Sequence, residues 1–140
     1  MPKRTSHAVW NGDLKSGNGN MKVGDAWEGS FSFASRFEDG SGTNPEELVG
    51  AAHAGCFSMA LSAALGESGY EPNSISTKAD VSLQKVGDDF KITEITLTTE
   101  ADIPDIDDET FQQHAEGAKK NCPISKLFAG TEIKLNASLK

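Results

Sequence analysis

The sequence predicts an α+β protein in which a central helix with small side chains packs on an antiparallel or mixed sheet. Apolar and polar residues alternate near both ends and in the middle of the chain, as in strands, and two segments between them have helical patterns. The chain of 140 residues is 36% hydrophobic and 24% charged, which suits one globular domain with one core. We therefore expect residues 1–140 to form a single domain with the element order β-β-β-α-β-β-α-β.

The N-terminal residues have the pattern of a β-meander. Trp27, Phe31 and Phe33 occupy alternate positions of one strand, with polar residues between them facing away, which is typical of a half-buried strand. The other elements expected before it are a strand at 7–10, turns at 11–13 and 17–20, and a strand at 21–23.

A Gly/Ser-rich loop at residues 39–44 leads into the central helix, which is predicted over residues 45–68. Asn44 is a good N-cap and Pro45 suits the first helical position. The carboxylates of Glu46 and its neighbour face the positive end of the helix dipole, so the start of this helix is well defined.

Part of this helix, residues 48–65, carries no charge and reaches the lower length limit for a membrane span. Most of its residues are Gly, Ala or Ser, and His53 lies among them, which favours a helix packed closely by neighbours inside a protein. The net charge of −8 argues against nucleic acid and anionic membrane surfaces as partners, because both require a basic surface.

Alternation returns in the second half of the chain. A shift in the parity of the apolar residues predicts a β-bulge near Thr93 or Glu94. A second helix is predicted from about Asp107 to Cys122, where Pro123 ends it. The strands expected around these features lie at 75–84, from 90 onwards after a turn at 87–89, and at 133–139.

Cys56 lies in the middle of the predicted central helix, flanked by Gly55 and Phe57. A lone cysteine in such a helix is more often a small core residue than a reactive one. Cys122 changes this interpretation, because it lies between two lysines and a further predicted helical turn at 123–128, where a thiol ionises more easily. Two cysteines of different character, with no others, indicate a redox pair.

Arg36 and Glu46 flank the Gly/Ser-rich loop and are candidates for supporting the first cysteine. Most charges in such a place are simply solvated, but a thiol inside an apolar helix has a raised pKa and needs a fixed cation to ionise. Arginine stays charged when buried, and a carboxylate holds its guanidinium with two hydrogen bonds. Glu47 is adjacent to Glu46, and the residue types do not separate the two.

The length of the helix limits this arrangement. Ten residues of straight helix put Glu46 and Cys56 about 15 Å apart along the axis and roughly 80° apart around it, too far for one arginine to contact both. Either the helix breaks near Gly50 or a second subunit supplies part of the site. We expect a break, a dimer, or both.

His53 lies one turn before the first cysteine, which makes a metal site conceivable. Two ligands do not hold zinc, and the other candidates, His7, His114 and Cys122, are scattered along the chain. The run GDLKSGNGN fits neither nucleotide-binding fingerprint, and Ser58 lacks the Gly-x-Ser-x-Gly elbow of a hydrolase. We therefore expect neither a metal nor another cofactor.

Two motifs resemble those of the OsmC/Ohr family of hydroperoxide reductases. The run RFEDGSGTNPEELVGAAHAGCFSMALSAALGESGY, residues 36–70, resembles the family signature, and NCPISKLF, residues 121–128, resembles its second cysteine motif. The segments HAVWNGDLKSGNG and STKADVSLQKVGDDFKITEI extend the resemblance over nearly the whole chain. The residues of HAGCFSMAL and of the N-terminal segment HAVWNGDLKSGNG are more similar to the osmotically inducible OsmC branch than to the Ohr branch.

The resemblance implies a cysteine peroxidase that reduces organic hydroperoxides, and hydrogen peroxide less efficiently, in defence against oxidative and osmotic stress. It implies that Cys56 attacks the peroxide and becomes a sulfenic acid, which Cys122 resolves to a disulfide. It also implies that Arg36, held by Glu46, stabilises the Cys56 thiolate. An intertwined homodimer with two interfacial active sites follows from it, as does a thiol or dithiol reductant, for example a dihydrolipoyl group.

Other features bear on the location and on an alternative function. The N-terminus MPKRTSHAVW lacks the apolar stretch of a signal peptide, and two cysteines are too few for a secreted disulfide scaffold, so we expect a cytoplasmic protein. The alternative is a non-catalytic protein whose small-sided helix lines an apolar ligand pocket. That alternative gives no reason for paired thiols together with Arg36 and Glu46.

Overall fold

The N-terminal unit, Met1–Leu48, is a three-stranded antiparallel meander followed by a short helix. The computed structural model describes all residues from Met1 to Lys140. The second unit is Val49–Lys140. The elements of the first unit are β1 (Ser6–Asn11), β2 (Asn18–Val23), β3 (Trp27–Phe31) and α1 (Phe33–Phe37), and the strand order is β1-β2-β3.

Two boundaries in this unit differ from the prediction. The turn expected at residues 17–20 is wrong, because β2 already begins at Asn18; a Cβ atom on Gly19 would lie 2.6 Å from the ring of Phe31, so this glycine makes room for an aromatic ring. Phe33 lies in α1 and not in a strand. There Ser32 and Ser35 form a reciprocal capping box, with hydrogen bonds of 3.1 and 2.8 Å, that starts the helix.

The long helix α2 (Pro45–Glu67) begins in the first unit and continues into the second. Its N-cap is confirmed: the Glu47 backbone N–H donates to the Asn44 side chain over 2.9 Å. It ends just before Gly69, whose φ of 85° is the left-handed conformation that glycine adopts after a helix.

The helix break expected near Gly50 is wrong, since α2 is continuous through this residue. A Cβ atom at Gly50 would meet Val81 and Ala79 at 3.4–3.6 Å. The glycine therefore serves the close approach of the helix to the neighbouring strand and does not interrupt the helix.

The second unit completes the predicted α+β class with a mixed sheet. Its first strand pair is antiparallel and its second is parallel, in the order β4-β5-β6. Ser82 pairs with Glu94 and Leu83 with Ile92, which leaves Thr93 as the bulged residue and confirms the predicted bulge. The elements are β4 (Ser74–Val86), β5 (Asp89–Asp102), α3 (Asp108–Asn121), α4 (Pro123–Leu127) and β6 (Glu132–Leu139).

The core of this unit lies between α2, the sheet and α3. Beside it, hydroxyl groups fix α2 on the sheet: Ser58 lies 2.7 Å from Thr77, which in turn lies 3.0 Å from Thr99. The buried side chains are Phe57, Leu61 and Leu65 of α2, Ile95, Leu97 and Ala101 of β5, Ile103, and Phe111, Ala115 and Ala118 of α3.

Only one face of α2 is covered. The helix has the length and apolar composition of a membrane-crossing helix, and 28% of its most apolar window is buried. Met59 is 77% exposed, so within this chain the close packing by neighbours that the sequence predicts is present on one side of the helix only. We call the other side the open face; it consists of Ala51, Ala52, Gly55, Met59, Ser62, Ala63 and Gly66.

Candidate active site

The two cysteines are in contact although 66 positions separate them in the sequence. The sulfur of Cys122 lies 2.7 Å from that of Cys56, and both are free thiols. Cys122 is completely buried and Cys56 is half-buried. The sulfurs are thus already positioned for a disulfide, whose bond length is about 2.05 Å.

Local structure explains how the pair meets. Cys56 is in the middle of α2, where the helix holds its backbone. Cys122 is the C-cap of α3 and the N-cap of α4, with non-helical φ and ψ of −55° and 127°. Pro123 at the first position of α4 forces this change of direction, which turns the chain back toward α2.

Burial and the neighbouring thiol both raise the pKa of Cys56. Burial is the larger cause, since the apolar surroundings disfavour a thiolate, and the hydrogen bond with Cys122 adds to it. The backbone N–H of Ile124 acts in the opposite direction, because it donates to the sulfur and favours the charged form. A reactive thiolate at Cys56 therefore needs more positive charge than these neighbours supply.

Arg36 and Glu46 form the second pair of predicted site residues. Arg36 Nε lies 3.2 Å from both carboxylate oxygens of Glu46, and a terminal nitrogen lies 2.7 Å from Oε1. Glu46 is 7% exposed, so the carboxylate is fixed in the protein. Glu47 contacts Asn44 and Thr43 instead, which resolves the choice between the two glutamates in favour of Glu46.

An apolar cavity lies beside Arg36. It has a volume of about 220 Å³ and is lined by aromatic rings, with the guanidinium carbon of Arg36 lying 5.3 Å from the ring centre of Phe37. Phe57, which follows Cys56 in the sequence, does not line this cavity and is completely buried in the core. The lining residues are Trp10, Leu14, Phe31, Ser32, Phe33, Arg36 and Phe37.

His53 has a role that the sequence did not indicate. Its side chain is completely buried and its Nε2 atom lies 2.7 Å from the hydroxyl of Ser125 in α4. Burial lowers the pKa of His53, so the imidazole is neutral at pH 7. Its spacing to Cys56 and that of Ser125 to Cys122 are both three residues, which is the one sequence signal that could have found this contact.

Most of the chain is similar in sequence to known proteins. A family model described as OsmC-like protein matches residues 38–138. Peroxiredoxin OsmC of Escherichia coli (strain K12) is 48% identical over 139 residues, which are 98% of this chain and 96% of that protein.

Solved structures have the same fold. An OsmC-like protein from Mycoplasma pneumoniae superposes with a TM-score of 0.78 at 18% identity, covering 99% of this chain and 97% of that one. The organic hydroperoxide resistance protein OhrB of Bacillus subtilis superposes with a TM-score of 0.70 at 27% identity, covering 97% and 98%.

One equivalent of a peroxide should convert the two thiols into a Cys56–Cys122 disulfide within one chain, because the sulfurs are already in contact. Mass spectrometry of a non-reduced digest checks this by detecting the cross-linked peptide pair. A disulfide found only between chains would contradict the assignment of both cysteines to one site.

Proposed function

The chain belongs to the OsmC-like protein family, and we propose that it is a cysteine peroxidase that reduces organic hydroperoxides to alcohols. The observation that carries the proposal is the contact between Cys56 and Cys122. The 48% identity to a peroxiredoxin and the 37% identity to an organic hydroperoxide resistance protein over 101 residues, 70% of this chain, support the same activity.

In the first step, the Cys56 thiolate attacks the outer oxygen of the hydroperoxide. The sulfur–oxygen bond forms as the oxygen–oxygen bond breaks, and the alkoxide that leaves takes up a proton to become the alcohol. The sulfur is oxidised by two electrons to a sulfenic acid, and the peroxide is reduced by two.

In the second step, the Cys122 sulfur attacks the sulfenic sulfur. A disulfide forms and the sulfenic oxygen leaves as water, taking up the thiol proton. An external dithiol then restores both thiols by exchange and is itself oxidised to a disulfide. A dihydrolipoyl group is the reductant we propose, and the cytoplasm is the compartment.

Arg36, oriented by Glu46, is the cation that we propose for the thiolate. Burial raises the pKa of Cys56, and a guanidinium nearby would counteract that effect, because an opposite charge favours the ionised form. The two-oxygen contact with Glu46 fixes the plane of the guanidinium and leaves its remaining N–H groups available.

A second copy of the chain completes the site in this proposal. Of the two ways considered for joining Arg36 to Cys56, a helix break is removed because α2 is continuous. The other way is a homodimer in which one chain supplies the cysteines and its partner supplies the arginine. The open face of α2 and the exposed Val9, Val23 and Trp27 of the first sheet are apolar surfaces that such a dimer would cover.

The cavity beside Arg36 supports an organic substrate. It is smaller than pockets for drug-sized ligands, which begin at about 300 Å³, and its aromatic lining suits a small alkyl or aryl group. An arginine at the edge of such a cavity would place the peroxide oxygens next to positive charge and the carbon group next to the rings.

Cys56→Ser should abolish peroxide consumption, because a serine hydroxyl is not ionised near neutral pH. Cys122→Ser should consume one equivalent and then stop as a sulfenic acid. A peroxide assay on the reduced protein, with trapping of the sulfenic acid, measures both. Normal turnover by Cys56→Ser would disprove the proposed function.

Arg36→Ala should slow the peroxide step by roughly tenfold or more at pH 7, because the thiolate loses its cation. Since a higher pKa of Cys56 leaves less thiolate at any pH below it, the pH–rate profile should shift to higher pH. Glu46→Gln should have the same direction of effect, whereas Glu47→Gln, the matched control next to it, should behave as wild type. Unchanged profiles for Arg36→Ala would remove this residue from the mechanism.

The same variants test the dimer. A mixture of inactive Cys56→Ser chains and impaired Arg36→Ala chains, unfolded and refolded together, should regain activity. In a mixed dimer, one site combines an intact Cys56 with an intact Arg36 from the other chain. Activity that stays at the average of the two separate variants would contradict a shared site.

Organic hydroperoxides should be preferred over hydrogen peroxide. Burying four methylene-sized groups contributes about 3 kcal/mol, which corresponds to roughly 100-fold in kcat/KM if it is realised in the transition state. Steady-state kinetics with tert-butyl hydroperoxide, cumene hydroperoxide and hydrogen peroxide measure the preference. Phe31→Ala, which opens the cavity, should reduce it, and equal kcat/KM values for all three wild-type substrates would refute it.

A further inference from the structure

Two side-chain bridges join α2 to the junction of α3 and α4. One is the sulfur contact of Cys56 with Cys122, and the other is the hydrogen bond of His53 with Ser125, also 2.7 Å long. His53 and Cys56 lie three residues, or about one turn, apart on α2. Their partners, Ser125 and Cys122, are also three residues apart. The bridges are therefore neighbours, and each limits how far the other can open.

The second bridge is the main polar attachment of α4. Among residues 122–127, only Cys122 and Ser125 are buried, while Leu127 is 71% exposed. The ring of Phe128, just after the helix, meets the His53 ring edge-on with centres 5.7 Å apart. His53 thus contacts α4 at one residue within it and at one just beyond it.

A histidine at position 53 destabilises the fold more than an apolar residue of similar size would. Its ring is completely buried, and its Nδ1 atom has no hydrogen-bond partner. Burying a polar atom without a partner destabilises a protein, so an apolar side chain would serve better if filling space were the only need. The hydrogen bond to Ser125 is what this residue type adds.

We infer that His53 is a positioning residue: by holding Ser125 it keeps the α3–α4 junction, and with it Cys122, against Cys56 for disulfide formation. The inference rests on the proposed peroxidase function. Once Cys56 carries a sulfenic oxygen, the original sulfur contact is gone, and the His53–Ser125 bond is the bridge that remains. It holds Cys122 within reach while the disulfide forms and water leaves.

The same bond positions the backbone N–H of Ile124, which lies next to Ser125 and donates to the Cys56 sulfur. Loss of the bond should therefore have two effects. The sulfenic acid should persist longer, which exposes it to a second peroxide and irreversible oxidation to the sulfinic acid. The Cys56 pKa should rise, because a donor that favours the thiolate is no longer held in place.

The test uses variants that remove or restore this hydrogen bond. Ser125→Ala and His53→Asn remove it, whereas the longer amide of His53→Gln reaches the position of Nε2 and should restore it. After one equivalent of cumene hydroperoxide, the first two should form the disulfide roughly tenfold more slowly than wild type, as expected for one lost buried hydrogen bond. With excess peroxide, they should accumulate more sulfinic acid, measured by mass spectrometry.

A matched control is available in the other histidine–serine bond, His114 Nε2 to Ser68 at 2.9 Å. Ser68→Ala should form the disulfide at the wild-type rate. Equal slowing in Ser68→Ala and Ser125→Ala would overturn the inference, as would wild-type rates in both Ser125→Ala and His53→Asn.

Titration of Cys56 by its ultraviolet thiolate absorbance separates this inference from the proposed function, because it requires no peroxide. In a Cys122→Ser background, adding Ser125→Ala should raise the Cys56 pKa and adding Ser68→Ala should not. Failure of the wild-type protein to reduce peroxide would end the proposed function, whereas an unchanged titration would end the positioning role of His53.

Discussion

The packing of one face of α2 against the mixed sheet and α3 is the constraint on which the cysteine site depends. Phe57, Leu61 and Leu65 are completely buried, and Gly50 lets the helix approach β4 closely. Burial of this face fixes the rotation of α2 about its own axis. The side chain of Cys56 therefore lies on the side that faces the α3–α4 junction. The apolar core thus determines the orientation of a residue that contributes little to it.

The same burial works against the chemistry. The apolar setting raises the pKa of Cys56 and so reduces the fraction of thiolate. The Ile124 N–H offsets part of this effect within the unit that holds the cysteine. In the proposed mechanism Arg36, held by the buried carboxylate of Glu46, supplies the rest, because a guanidinium keeps its charge at any pH at which the protein is folded.

The parts of the fold that depend on periodicity were predictable from the sequence. Alternation located β4, β5 with its bulge at Thr93, and β6, and local capping rules located both ends of α2. Two of the errors came from glycines, whose role depends on distant atoms. Gly19 has turn-like composition but makes room for Phe31, and Gly50 allows close packing and not a break.

The site was predictable to the extent that it follows from residue type. The pairing of Arg36 with a carboxylate was expected, but only the three-dimensional structure separates Glu46, which faces the guanidinium, from Glu47, which caps the helix start with Asn44. The bond between His53 and Ser125 joins residues 72 positions apart. The equal spacings of these residues from the two cysteines are its one sequence signal, and the contact itself arises from the packing of α4 on α2.

The two thiols are held by different kinds of backbone structure. Cys56 is held by backbone hydrogen bonds on both sides within a long helix, so its sulfur moves only by side-chain rotation. Cys122 connects two helices and has non-helical dihedral angles, so its position is set by the α3–α4 junction. In the proposed reaction, the attacking thiol is thus fixed by the helix whose core packing orients it, and the resolving thiol lies at a junction that the His53–Ser125 bond attaches to the same helix.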